Sequence, residues 1–177
     1  MKTDLRGRYT TADLRADLQR EITNWQSLAG ASINVDGMTI GPAFAKEFVL
    51  KYGRDYTAAP WPRKRMMMKG CYRNAYKLVE SAFGLRHKPT YVEGYAVNRW
   101  ITEHIVAHAW CINSDNFVVD PTWDEGTEYF GVPFRHDYLR RVLKARRDYG
   151  LIDNAEMDFP LVTGAHRVHE AVVDRRD

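Results

Sequence analysis

Three strand-like segments follow one another between residues 89 and 123, with only short polar connections between them. They are "PTYVEGYAVN" (89–98), "ITEHIVAHAWCIN" (101–113) and "NFVVDPTW" (116–123), all rich in β-branched and aromatic residues. "SDN" at 114–116 is a tight-turn sequence. It makes the second and third segments antiparallel neighbours, since a parallel pair needs a crossover of a dozen or more residues. Helical patterns lie on either side of this block. The order predicts an α+β fold in which helices pack on an antiparallel sheet.

Upstream, "TTADLRADLQREITNWQSL" predicts a helix capped by Thr10 or Thr11, with Leu14, Leu18, Ile22 and Trp25 on one stripe. "GASINVDGM" reads as a turn-rich break. "GPAFAKEFVLKYG" reads as a second helix, with Pro42 near its first turn and Gly53 past its end. "RDYTAAPWPRKRMMMKG" reads as a loop without regular structure, carrying two prolines and the basic residues Arg63, Lys64, Arg65 and Lys69. "CYRNAYKLVESAFG" predicts a third helix. Its stripe is Cys71, Asn74, Ala75, Leu78, Val79, Ala82 and Phe83, and Gly84 stops it. "YFGVPF" reads as a short strand or extended segment, and "RHDYLRRVLKARRDYG" as a basic helix over about 134–149. The tail over 160–177 has weak periodicity and is expected to be partly disordered.

The 177 residues favour one domain with a real core. The net charge of +3 permits an acidic partner without arguing for one. The first 25 residues carry acids and lack an apolar run, and no segment is apolar for long enough to cross a bilayer. The expected location is cytoplasmic, where Cys71 and Cys111 stay as free thiols.

Three residues carry chemistry. Cys71 opens the third helix, where free N–H groups and the dipole favour thiolate over thiol; Lys69 would add to this. The competing reading is a small apolar residue on a buried stripe. Strand alternation puts His108, Trp110 and Ile112 on one face and Ala107, Ala109 and Cys111 on the other, so Cys111 reads as core. Asp120 precedes Pro121 and can be a plain turn opener. With the turn centred near Asp115, however, Asp120 falls opposite His108 or nearly so. A thiol, an imidazole and a carboxylate so placed are the parts of thiol acyl-transfer chemistry.

The run "GCYRNAYKLVESAFGL…YVEGYA…HAWCINSDNFVVDPTW" resembles the transglutaminase-like superfamily, over roughly residues 65–134. Cys71, "EGYA" at 93–96, "HAW" at 108–110 and "DPTW" at 120–123 match its order. The resemblance implies a papain-like α+β fold, as known in small phage and bacterial proteins. It implies Cys71 as nucleophile, His108 as base and Asp120 as orienting acid.

Around this centre, Trp61 is a candidate oxyanion donor through its indole N–H. Asn74, Glu93, Trp110 and Trp123 are candidates for substrate contact. For Asn74 a capping or core hydrogen bond, and for Glu93 a solvated strand position, are the plainer readings. His104 and His108 on one strand stand roughly 13 Å apart, and "HRVH" at 166–169 lacks a third ligand, so no metal and no cofactor is expected. The expected activity is that of an amidase, peptidase or transglutaminase-type enzyme forming a thioester on Cys71, with a protein or peptide carboxamide as substrate. The alternatives are an inactive binding module on the same fold and a basic nucleic-acid-associated protein using residues 63–69 and 135–147. No recognition motif supports the last.

Overall fold

The computed structural model describes residues 9–27, 33–35, 38–40, 43–59, 65–98, 105–143, 149–153, 160–161 and 164–174. Helix α1 spans Thr11–Ser27. Thr10 starts it: its hydroxyl accepts the Asp13 N–H (3.3 Å), and the Asp13 carboxylate accepts the Thr10 N–H (2.8 Å). This reciprocal pair satisfies two donors at the helix start. Leu14, Leu18 and Ile22 then form its buried stripe, while Trp25 stays 38% exposed. The segment expected to be a turn-rich break holds a short antiparallel hairpin, β1 (Ile33–Val35) and β2 (Met38–Ile40). Helix α2 covers Phe44–Tyr52.

Directly after it, β3 (Arg54–Tyr56) corrects the expectation of an irregular loop. β3 is an edge strand that borrows its pairing from β7 (Gly126–Phe134), a partner far along the chain. Helix α3 covers Cys71–Ser81, followed by β4 (Thr90–Asn98), β5 (Val106–Ile112) and β6 (Val118–Val119). The five-stranded sheet has the order β3-β7-β4-β5-β6, and every pairing is antiparallel. The architecture is therefore α+β. β7 is nine residues long and sits second in the sheet, against the short segment that its Gly131 and Pro133 suggest. Pro133 is tolerated because β3 pairs only with Tyr129, Phe130 and Gly131, so no ladder there needs a proline N–H.

The two sheet faces are unequal. α1, α2 and α3 cover one face, over a core that includes Tyr91, Ala109, Cys111, Phe130 and Val132. The other face is a smaller aromatic layer of Tyr56, Val92, Trp110, Ile112 and Tyr129, with Trp123 against its edge. Gly131 makes room for that layer: a methyl there would sit 2.6 Å from Trp110 Cη2, so the indole occupies the space of the missing side chain.

Helix α4 (His136–Leu143) buries Tyr138, Leu139, Val142 and Leu143. The expected loose tail folds back where it is described. α5 (Val168–Ala171) buries Ala171, Arg135 N–H donates to the Ala171 carbonyl (2.7 Å), and Val173 N–H donates to the Pro133 carbonyl (3.0 Å). Among the described residues, no helix is long and apolar enough to cross a membrane.

Candidate active site

The site lies where strand pairing stops. β5 and β6 pair only at Cys111–Val119 and Ile112–Val118. Asp120 then leaves the sheet, and Pro121, which has no N–H to offer, confirms the exit. The β5 backbone at His108 and Ala109 thus has β4 on one side and no strand on the other. The start of α3 fills this gap and brings Cys71 Sγ near the Ala109 N–H.

Cys71 is the first residue of α3, and Gly70 stands before it without a side-chain cap. The thiol is half-buried. It lies beside the His108 ring, near the backbone N–H groups of Ala109 and Tyr72. Burial by itself raises the thiol pKa. The His108 hydrogen bond and charge, with the two N–H groups, outweigh it and hold the thiol below its ordinary value.

His108 is 1% exposed. Its Nε2 lies 2.7 Å from Asp120 Oδ2, which leaves Nδ1 for the thiol. Burial pulls the imidazole pKa down. Hydrogen bonds to Asp120 and Cys71 and the charges of both reverse this, so the net direction is up. Trp123 stacks on the ring at 3.7 Å and 9°, and Trp110 lies in the same stack at 6.1 Å and 19°. The imidazole can change its proton but not its orientation.

Asp120 is buried, and burial would raise its carboxyl pKa. His108 and the N–H groups of Trp123 and Thr122 outweigh this and keep it below the usual carboxylate range. Oδ1 accepts Thr122 N–H (2.8 Å) and Trp123 N–H (2.9 Å); Oδ2 accepts from His108 and from the Tyr129 hydroxyl (2.9 Å). In this line the Sγ proton can pass to His108, leaving a thiolate beside an imidazolium that a fixed carboxylate stabilises.

The structure thus brings Cys71, His108, Asp120 and Trp123 together. It gives three other sequence candidates different surroundings from those of a substrate contact. Trp110 is fully buried and backs the histidine instead of facing outward. Asn74 is a brace: its Nδ2 donates to the Met67 carbonyl (2.7 Å) and to Thr122 Oγ1 (3.0 Å), tying the chain before α3 to the Asp120 turn. Glu93 is 2% exposed and lies on the helix-covered face, in register with Ala109. It accepts the Tyr91 hydroxyl (2.7 Å) and the N–H groups of Leu151 and Ile152, so it holds a distant loop to β4. Neither its own solvation nor substrate contact describes it. Trp61, the oxyanion candidate, lies outside the described residues, as do Arg63, Lys64 and His104.

Sequence reasoning missed Tyr129, Thr122 and Arg65. Arg65 donates to both the Asp120 carbonyl and the Asp124 carboxylate, clamping the turn from outside. Its one sequence signal was membership of a basic cluster. Cys111 is the opposite of Cys71: wholly buried, donating weakly to the Ala75 carbonyl (3.4 Å), its thiol pKa driven well up by burial. Among the described residues, no group of three His, Cys, Asp or Glu side chains is placed to hold a metal ion. A groove of about 710 Å³ between β4, β7 and α4 is lined by Tyr91, Phe134 and Arg141, none of them part of this constellation. Comparison of the chain with models of known families, with curated proteins and with solved structures finds no match.

Proposed function

We propose that the protein is a thiol-dependent acyl-transfer enzyme of the amidase, peptidase or transglutaminase type, on a papain/transglutaminase-like fold, with Cys71, His108 and Asp120 as its triad. The observation that carries this reading is the buried His108–Asp120 pair, with His108 Nε2 2.7 Å from the carboxylate, and the Cys71 thiol at the start of α3 beside the same ring. The resemblance of "HAW" and "DPTW" to the transglutaminase-like superfamily points the same way.

The reaction has two halves. The Cys71 thiolate attacks the carbonyl carbon of a protein or peptide carboxamide, forming a C–S bond. The C–N bond breaks as imidazolium His108 gives its proton to the departing nitrogen. Water or an amine then attacks the thioester, His108 takes the incoming proton, and Cys71 returns to thiolate. Water makes the enzyme a hydrolase, and an amine makes it a transferase. The proposed setting is cytoplasmic, and no step needs a cofactor.

The test is acyl-enzyme trapping. The full chain is mixed with glutamine-containing and other peptide amides, acid-quenched and weighed intact. The expected adduct is the acyl group, with loss of ammonia or amine from the substrate, mapped to Cys71 and absent from Cys71→Ala. An inactive binding module predicts peptide binding with no adduct from any amide in the set.

A further inference from the structure

Asp120 has one oxygen for its own position and one for His108. Oδ1 takes two backbone N–H groups, from Thr122 and Trp123, which suffice to fix the carboxylate in its turn. Oδ2 is shared between His108 Nε2 and the Tyr129 hydroxyl, at 2.7 and 2.9 Å. Tyr129 comes from β7, two strands away from β5, and its ring is 2% exposed. Its hydroxyl has a reserved place, because a methyl on Gly126 would overlap it.

We infer that Tyr129 is a positioning residue that acts through Asp120 Oδ2, drawing charge from the oxygen that holds His108 and so limiting how basic that histidine becomes. This deepens the proposed function, since it names what tunes the base of the triad. A neutral O–H donor on a carboxylate disperses its charge. The less charge left on Oδ2, the less it stabilises imidazolium. Tyr129 stays a donor throughout, because burial, then the charge and hydrogen bond of Asp120, push its own pKa far up.

The other groups in the vicinity are accounted for. Arg65, with Asp124 as its ion-pair partner, acts on the Asp120 turn and on Tyr129. Cys71 faces His108 from the start of α3, and the charges of Glu93 and Cys71 are felt at Tyr72. Tyr56 is buried in the same aromatic layer. None of these donates to Oδ2 in place of Tyr129 among the described hydrogen bonds.

The experiment titrates the His108 imidazole by NMR in full-length Cys71→Ala protein, so the thiol does not contribute. Tyr129→Phe removes only the hydroxyl, and the expected result is a rise of about half a pH unit or more in the His108 midpoint. Site-specific 3-fluorotyrosine at position 129, a stronger donor, should move the midpoint the other way. A merely packed Tyr129 would leave both midpoints in place. Unchanged midpoints, or a fall with Tyr129→Phe, overturn the inference. Neither readout uses the thiol or a substrate, so failure here is distinct from failure to form an acyl-enzyme.

Discussion

His108 and Asp120 meet across a diagonal. Extending the register set by Cys111–Val119 puts Trp110, not His108, opposite Asp120. The carboxylate reaches back along the strand to place Oδ2 2.7 Å from His108 Nε2. Diagonal neighbours on one sheet face lie within reach of long side chains. Here the reach is possible because Pro121 turns the chain out of the sheet and Thr122 and Trp123 hold Oδ1 from behind.

Asp120→Asn should slow any Cys71-dependent turnover, by up to roughly 10⁴-fold by analogy with triad hydrolases. It should also lower stability by about 1–3 kcal/mol, because an amide cannot serve four donors, three of them in buried bonds, as a carboxylate does. Substrate kinetics beside a denaturant melt check both. A normal rate with reduced stability would make Asp120 a turn residue only.

Acid should remove the same stabilisation. The Asp120 carboxyl titrates below its ordinary value in the folded chain. A depressed carboxylate contributes stability above its unfolded pKa, and that stability is lost as pH falls through the folded pKa. The stability gap between wild type and Asp120→Asn should therefore widen as pH falls through the His108 titration, where Asp120 favours imidazolium, and close only below the usual carboxylate range. Urea midpoints at a series of pH values read this. A gap that begins to close near pH 6 would contradict the direction assigned to Asp120.

Gly126→Ala should cost about 1–3 kcal/mol through overpacking, since the Tyr129 phenol must move to admit the methyl. The same variant should break the Tyr129–Asp120 hydrogen bond. Melting and the near-ultraviolet tyrosine signal report the two effects. A silent substitution would show that the phenol has room to spare.

The two tryptophans beside His108 should separate. Trp110 is 0% exposed, and Trp110→Ala should destabilise by about 3–5 kcal/mol. Trp123 is only half-buried, and its ring lies flat on the imidazole. Trp123→Ala should leave a folded protein with a slower Cys71 reaction. Circular dichroism and alkylation kinetics together distinguish these outcomes, and equal melts for the two variants would refute the difference.

Local pattern made the centre of the site legible. Strand alternation set the faces of His108 and Cys111, helix-start logic placed Cys71, and the proline after Asp120 marked where pairing ends. What sequence could not supply was long-range. β3 forms only because β7 passes beside it, so Arg54–Tyr56 carries no strand signal of its own. "YFGVPF" reads as only a short strand or extended segment, because Gly126, Gly131 and Pro133 suit positions visible only once Tyr129, Trp110 and the strand edge are in place. Glu93 read as a polar strand position, yet residues 149–153 bury it from outside the strand. Tyr129 was missed for the same reason: its partner Asp120 lies across a turn, not on the facing strand.

The most direct measurement is the pH dependence of iodoacetamide reaction at Cys71 and Cys111, followed by peptide mapping in wild type and His108→Gln. In wild type, Cys71 should react with a midpoint below that of an ordinary thiol, and Cys111 should stay unlabelled until the chain unfolds. In His108→Gln, the Cys71 midpoint should move up, since the partner that outweighs burial is gone. Identical midpoints in the two proteins, or faster labelling of Cys111, would contradict the pairing of Cys71 with His108.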